Sequence, residues 1–137
     1  MIKRLQGLTA FLLLIILFTA CGGTEEEASV FFVSPKDGDT VKSPFKVEMG
    51  VSGMQIQPAG EVNEGFGHHH LIIDGSFIEE GVIVPADPTH IHYGKGQIVT
   101  DDIELNPGKH TLTLQFADGV HTSFGESMSK TIEITVE

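Results

Sequence analysis

From Lys109 to Ala117 the side chains alternate: His110, Leu112, Leu114 and Phe116 fall on one face of an extended chain, and Thr111, Thr113 and Gln115 on the other. Thr131-Ile132-Glu133-Ile134-Thr135-Val136 repeats this period, with Ile132, Ile134 and Val136 on one side. A period of two describes a strand with one buried face, and residues 30–137 carry no convincing 3.6-residue apolar spacing of an amphipathic helix. Short β-rich runs recur between glycine, proline and aspartate. They predict strands at 30–34, 45–53, 68–74, 97–105, 109–117 and 131–136, with a short seventh at 121–124. Pro35-Lys36-Asp37-Gly38-Asp39 and Asn106-Pro107-Gly108 read as turns. The expected fold is therefore all-β, an immunoglobulin-like antiparallel β-sandwich of about seven strands. Residues 82–96, broken by Pro85, Pro88, Gly94 and Gly96, read as a long loop of the kind that carries function.

Ahead of this domain, Lys3 and Arg4 precede an apolar run from Phe11 to Phe18 and small residues up to Cys21. That order is the one of a secretory signal, and its apolar part is shorter than the roughly 20 residues needed to cross a bilayer. Leu17-Phe18-Thr19-Ala20-Cys21 resembles a bacterial lipobox, with Phe18 in the usual leucine place and Leu17 one position earlier. The reading is a lipoprotein signal peptide at 1–20, a lipidated Cys21 opening a flexible acidic tether at 21–29, and a histidine-rich domain at 30–137. Ordinary cleavage after Ala20, leaving a free thiol, is the alternative. Lipidation gives a use to the chain's single cysteine, which has no partner for a disulfide within the chain. The glycine after the cysteine resembles the outer-membrane sorting pattern of Gram-negative cells. The expected location is the cell envelope, lipid-anchored, on the periplasmic or surface face of the outer membrane in such a cell.

Removing Lys3 and Arg4 from the 8 Lys+Arg, against 19 Asp+Glu, takes the net charge from −11 for the whole chain to −13 for the mature one. A surface this acidic repels phosphate backbones and attracts cations, so nucleic acid is not the expected partner and a metal ion is. With the cysteine spent in the anchor, any metal must be held by nitrogen and oxygen, and the fold must rest on its apolar core.

The seven histidines all lie in the domain: His68, His69, His70, His90, His92, His110 and His121. On a strand, His68, His70, Ile72 and Asp74 project one way and His69, Leu71 and Ile73 the other. With the aliphatic face as core, His69 is buried and His68 and His70 point outward. The same rule turns Ile91 inward and puts His90 and His92 together outside. Residues two apart on a strand are roughly 6.5–7 Å apart, so two such pairs on neighbouring strands can close on one ion. The expected metal ligands are His68, His70, His90 and His92, with His69, His110, Asp118 and His121 as a second tier.

Imidazole suits zinc, copper, nickel and iron, and an all-histidine set needs no thiolate. Met1, Met49, Met54 and Met128 include no closely spaced pair, which leaves copper(I) unsupported and favours copper(II) or zinc. The plainer reading is that the histidines bond backbone groups at sheet edges or respond to pH near 6.5. His110, at the start of the Leu112/Leu114/Phe116 face, suits a partly buried hydrogen-bonded role. His121, after Asp118-Gly119-Val120, sits in an expected turn where it can complete a site or orient a ligand.

Several segments together resemble the uncharacterised bacterial domain of unknown function 4399. They are Phe32-Val33-Ser34-Pro35-Lys36-Asp37-Gly38, Pro44-Phe45-Lys46-Val47, Pro58-Ala59-Gly60-Glu61, Gly67-His68-His69-His70-Leu71-Ile72-Ile73-Asp74, His90-Ile91-His92-Tyr93-Gly94-Lys95-Gly96-Gln97 and Pro107-Gly108-Lys109-His110-Thr111-Leu112. The resemblance implies a small periplasmic or surface domain built around these histidines, and it brings no firm activity. A partial likeness to periplasmic copper-resistance sandwiches of the CopC type lies in Asp118-Gly119-Val120-His121 followed by a last strand.

The leading functional expectation is a non-catalytic lipoprotein that captures, buffers or delivers copper(II) or zinc. A second is a binding or adhesion module, in which Phe66, Tyr93, Phe124 and the histidines recognise an envelope protein or polymer without metal. A third is a metal-dependent hydrolase, which needs an open coordination position and an acid or base such as Asp74, Glu61 or Glu64.

Overall fold

Strands whose apolar residues alternate can bury them only by laying one sheet against another, and two sheets do so here. A computed structural model describes residues 27–137; the expected signal peptide and Cys21 lie outside the described residues. The elements run β1 (Ser29–Ser34), β2 (Thr40–Val41), β3 (Phe45–Ser52), β4 (Gln55–Ile56), β5 (Phe66–Ile73), β6 (His90–His92), β7 (Val99–Ile103), β8 (Gly108–Ala117), a 3-10 turn (Glu126–Met128) and β9 (Ser129–Val136). The chain is all-β, a sandwich with no α-helix among the described residues.

One sheet has the order β1-β3-β7 and the other β2-β9-β8-β5-β4, with β6 also paired to β5. Pairing is antiparallel except for two edge pairs of two residues each, β2 with β9 and β4 with β5. The first strand takes up Ser29, the last residue expected in the tether. The expected seventh strand at 121–124 is reduced to isolated bridges, Ile83 to Thr122 and Ala117 to Ser123. In its place, β6 is a strand of three residues inside the segment expected to be loop.

Between the sheets lie Val30, Phe32, Val47 and Met49 from one side and Leu71, Leu112, Leu114, Phe116, Ile132, Ile134 and Val136 from the other. Ile132, Ile134 and Val136 face inward, as their alternation requires. Burying each such side chain contributes about 1.5–3 kcal/mol relative to leaving it exposed.

The larger sheet is covered on its other face as well. Residues 75–89 fold back over β5 and β8 and are fastened there by polar groups. The Ile78 N–H donates to Gln115 Oε1 at 2.9 Å, Thr113 Oγ1 to the Gly75 carbonyl at 2.8 Å, and Ser123 Oγ to the Ile78 carbonyl at 2.7 Å. Gln115 Nε2 donates to the Gly125 carbonyl at 3.1 Å, so a side chain pointing away from the core is nevertheless enclosed and satisfied. This cover buries Ile72, Thr113 and Gln115, together with His70.

Candidate metal centre

The pairing of β5 with β6 decides which histidines meet. His70 stands opposite His92, Leu71 opposite Ile91 and Ile72 opposite His90. His68, His70 and His92 thus share the outer face at one end of the sheet. His90 is on the same face but two residues further along, beside Ile72. His121 reaches the three from the turn after β8, and the four ring nitrogens that can ligate lie within 4.8 Å of one another.

Convergence is tightest through His92. Its Nε2 is 3.2 Å from His68 Nε2 and 3.0 Å from His121 Nε2. Nitrogens bound at 2.0–2.1 Å around a tetrahedral zinc are about 3.3 Å apart, so these two spacings are compatible with a shared ion. A single ring nitrogen has one lone pair or one proton directed along one line, and cannot make two good hydrogen bonds to two imidazoles at once. The ring centroids of the quartet are 4.6 to 5.8 Å apart.

Local backbone features hold this geometry. Asp118 Oδ1 accepts from the N–H groups of Val120 (2.9 Å) and Thr122 (2.8 Å), and the Asp118 carbonyl from His121 N–H at 3.0 Å. His121 itself is left-handed, with φ of 70°, a conformation uncommon for a residue other than glycine. Asp118 therefore shapes the turn that presents His121. Gly119 lets the turn approach residues 60–61, where a Cβ would run into the Glu61 carbonyl, and Gly60 N–H donates to the Gly119 carbonyl at 2.7 Å. Gly94 makes room for His92: a Cβ there would overlap the His92 ring.

His68 and His70 lie on the outer face, where their period puts them, but they are buried there, His70 beside residues 83–86 and His68 among the rings of His70, His92 and His121. Burial first, then the neighbouring imidazoles His92 and His121, holds the pKa of His68 down at about 4, against a smaller raising effect of Asp118. Burial and then His68, His92, His121 and His69 take His70 to about 3. His92 is lowered too, by burial and then by His121. These three rings are consequently neutral at neutral pH, the form in which imidazole donates to a metal. The buried Nδ1 atoms of His68 and His70 have no hydrogen-bond partner, so packing rather than a second hydrogen bond orients these rings.

The remaining expected ligands have other places. His90, expected in the first set, turns its Nδ1 to Asp87 Oδ1 at 2.9 Å, and that bond, with those from Thr89, holds the Asp87 carboxyl down at about 2. His69 faces the core, 5.1 Å from the Phe116 ring, with neither ring nitrogen hydrogen-bonded. His110 bonds Asp74 Oδ2 through Nδ1 at 2.8 Å and the Asn106 carbonyl through Nε2 at 2.9 Å, which engages both nitrogens. Asp118 is committed to its turn. Sequence reasoning placed His121 in the second tier, although it approaches His92 more closely than His68 does. The cover over the site was also missed; its signal is the apolar content of Ile78, Val82, Ile83 and Val84 in a segment with no strand period.

The fold and these residues define a class: a small β-sandwich carrying four converging imidazoles on the covered face of its larger sheet. The chain belongs to the family described as a domain of unknown function (DUF4399), whose match spans residues 47–137 and so includes all four histidines. No curated protein and no solved structure matches the chain.

Proposed function

We propose that this protein binds one transition-metal ion, copper(II) or zinc, through His68, His70, His92 and His121, and that it captures, buffers or delivers that ion at the cell envelope. The observation that carries this reading is the convergence of the four rings, with two contacts of 3.0 and 3.2 Å through a single nitrogen of His92. All-nitrogen ligation suits both ions, and the acidic chain raises the local concentration of cations.

The proposed setting is a lipid anchor at Cys21 with residues 22–28 as the arm, which would keep the site close to the membrane without inserting it. Acylation is checked by mass spectrometry of the purified mature protein. A diacyl or triacyl mass on an N-terminal Cys21 supports the anchor, and an unmodified thiol rejects it. Binding is checked by calorimetric titration of copper(II) and of zinc: one equivalent held at submicromolar Kd supports the site. Only the weak, multiple binding of exposed carboxylates would return the histidines to a structural or recognition role.

A further inference from the structure

Above the quartet lies a crevice of about 170 Å³, lined on one side by His70, His92 and His121 and on the other by residues 83–86. His68, the fourth ring, is fully buried and does not line the crevice. An ion among the four rings is thus shut off by the sheet in one direction and faces an apolar-walled opening in the other. The walls are Ile83, Val84, Pro85 and Ala86, and Ile83 is 65 % exposed at the rim.

These surroundings limit what can enter. Among the described residues the imidazoles are the only ionisable side chains lining the crevice, so an anion finds no counter-charge there except the ion itself, and the acidic chain repels it on approach. An occupant must bring an apolar body for the wall and one electron-pair donor for the ion. Size points the same way, since an apolar cavity of roughly 150 Å³ takes up benzene. Copper(II) in a tetragonal nitrogen field retains a weak axial position.

We propose that the ion accepts one further ligand through this crevice, a neutral planar nitrogen heterocycle of the imidazole or pyridine type. The inference rests on the metal reading above. The heterocycle donates one ring lone pair to the ion in a dative bond, displacing at most a water, with no proton or electron transferred. A free ring and a histidine side chain presented by a peptide offer the same chemistry.

The test uses the purified protein loaded with one equivalent of copper(II), with loading first verified by calorimetry. Nitrogen-15 imidazole is then titrated and its coupling to copper read by electron-nuclear double resonance. N-acetylhistidine methylamide, labelled in the ring, is run in parallel. Two variants leave every ligand in place: Ala86→Trp fills the crevice from an exposed position, and Ile83→Ala removes part of its wall. The expected result is a nitrogen-15 coupling in the parent, with imidazole affinity at least tenfold weaker in A86W and weakened in I83A, while both variants still take up copper. Coupling from both probes extends the site to chain-borne rings, and coupling from imidazole alone restricts it to small molecules; either upholds the proposal. No coupling in the copper-loaded parent, removal of copper by imidazole, or equal affinity in both variants overturns it and leaves the metal site standing. Failure of copper loading at the first step overturns the metal reading and this inference together.

Discussion

His121 Nε2 lies 3.0 Å from His92 Nε2, although the two residues are 29 apart in the chain and only His92 belongs to a strand. The contact depends on a turn that holds His121 at φ of 70°.

That dependence makes Asp118 a positioning residue. Asp118→Ala removes the acceptor of two backbone N–H groups and is expected to lower zinc and copper(II) affinity by about 10–100-fold, the range for residues that orient ligands. It should also destabilise the ion-free protein by about 1–3 kcal/mol. Asp118→Asn keeps an acceptor oxygen and should retain most of the affinity. Calorimetry with denaturant unfolding of both variants checks this, and equal losses in the two would assign the effect to charge instead of turn geometry.

Gly94 acts on the other member of the pair. Gly94→Ala places a methyl group where the His92 ring lies, so the ring must move away from His68 and His121. The expected outcome is at least a tenfold loss of metal affinity with a folded domain, read by calorimetry and near-ultraviolet circular dichroism. Unchanged affinity would mean that His92 is dispensable.

His69 is the member of the triple-histidine run that serves the core. Its two ring nitrogens are buried without partners, which carries a penalty of about 1–3 kcal/mol for an unsatisfied polar group. His69→Leu should therefore raise stability by about 1 kcal/mol or more and leave metal affinity within about threefold. Chemical denaturation and calorimetry separate the two effects, and a large loss of binding would place His69 among the ligands.

Acid should weaken the ion-free fold. His68 and His69 have folded pKa values of about 4 and His70 of about 3, so between 6.5 and these values the unfolded chain takes up protons that the folded chain refuses. Each histidine then costs up to about 1.4 kcal/mol of stability per pH unit as pH falls below 6.5, levelling off near its folded value. His110 works in the opposite sense. Its pKa is raised by the bond to Asp74 and then by the Asn106 carbonyl, so its contribution is complete below 6.5 and fades as pH rises through the raised value. In Asp74 burial opposes ionisation, but the bonds from His110 and the Thr111 N–H outweigh it, and its contribution is lost only as pH falls through the lowered value. Four depressed histidines, His68, His69, His70 and His92, outnumber the one raised, His110. Denaturant unfolding in chelator should show stability falling from pH 6.5 to 4.5, and a flat profile would contradict the buried, neutral placement of these rings.

The long strands and inward faces of the sandwich were legible because alternation reports burial directly: Ile132, Ile134 and Val136 lie where their period puts them. Strands of two or three residues, β2, β4 and β6, carry too little pattern to be read and exist through their partners. The site was legible in part for the same reason. Period two assigns His68, His70, His90 and His92 to outward faces, but it cannot tell His90 from His92. Register does that, by setting His92 against His70 and His90 against Ile72, where Asp87 takes its ring. Nor does period two foresee that residues 75–89 cover the outward face, which depends on long-range bonds such as Ile78 to Gln115.

The most direct test of the metal centre is a calorimetric titration of copper(II) and zinc into the parent protein, His121→Ala and His90→Ala, each checked for folding. The account predicts one site of submicromolar Kd in the parent, a loss of at least about 100-fold in His121→Ala, equivalent to about 2.7 kcal/mol, and a change of less than about threefold in His90→Ala. Equal binding by the parent and His121→Ala, or a loss confined to His90→Ala, would contradict it.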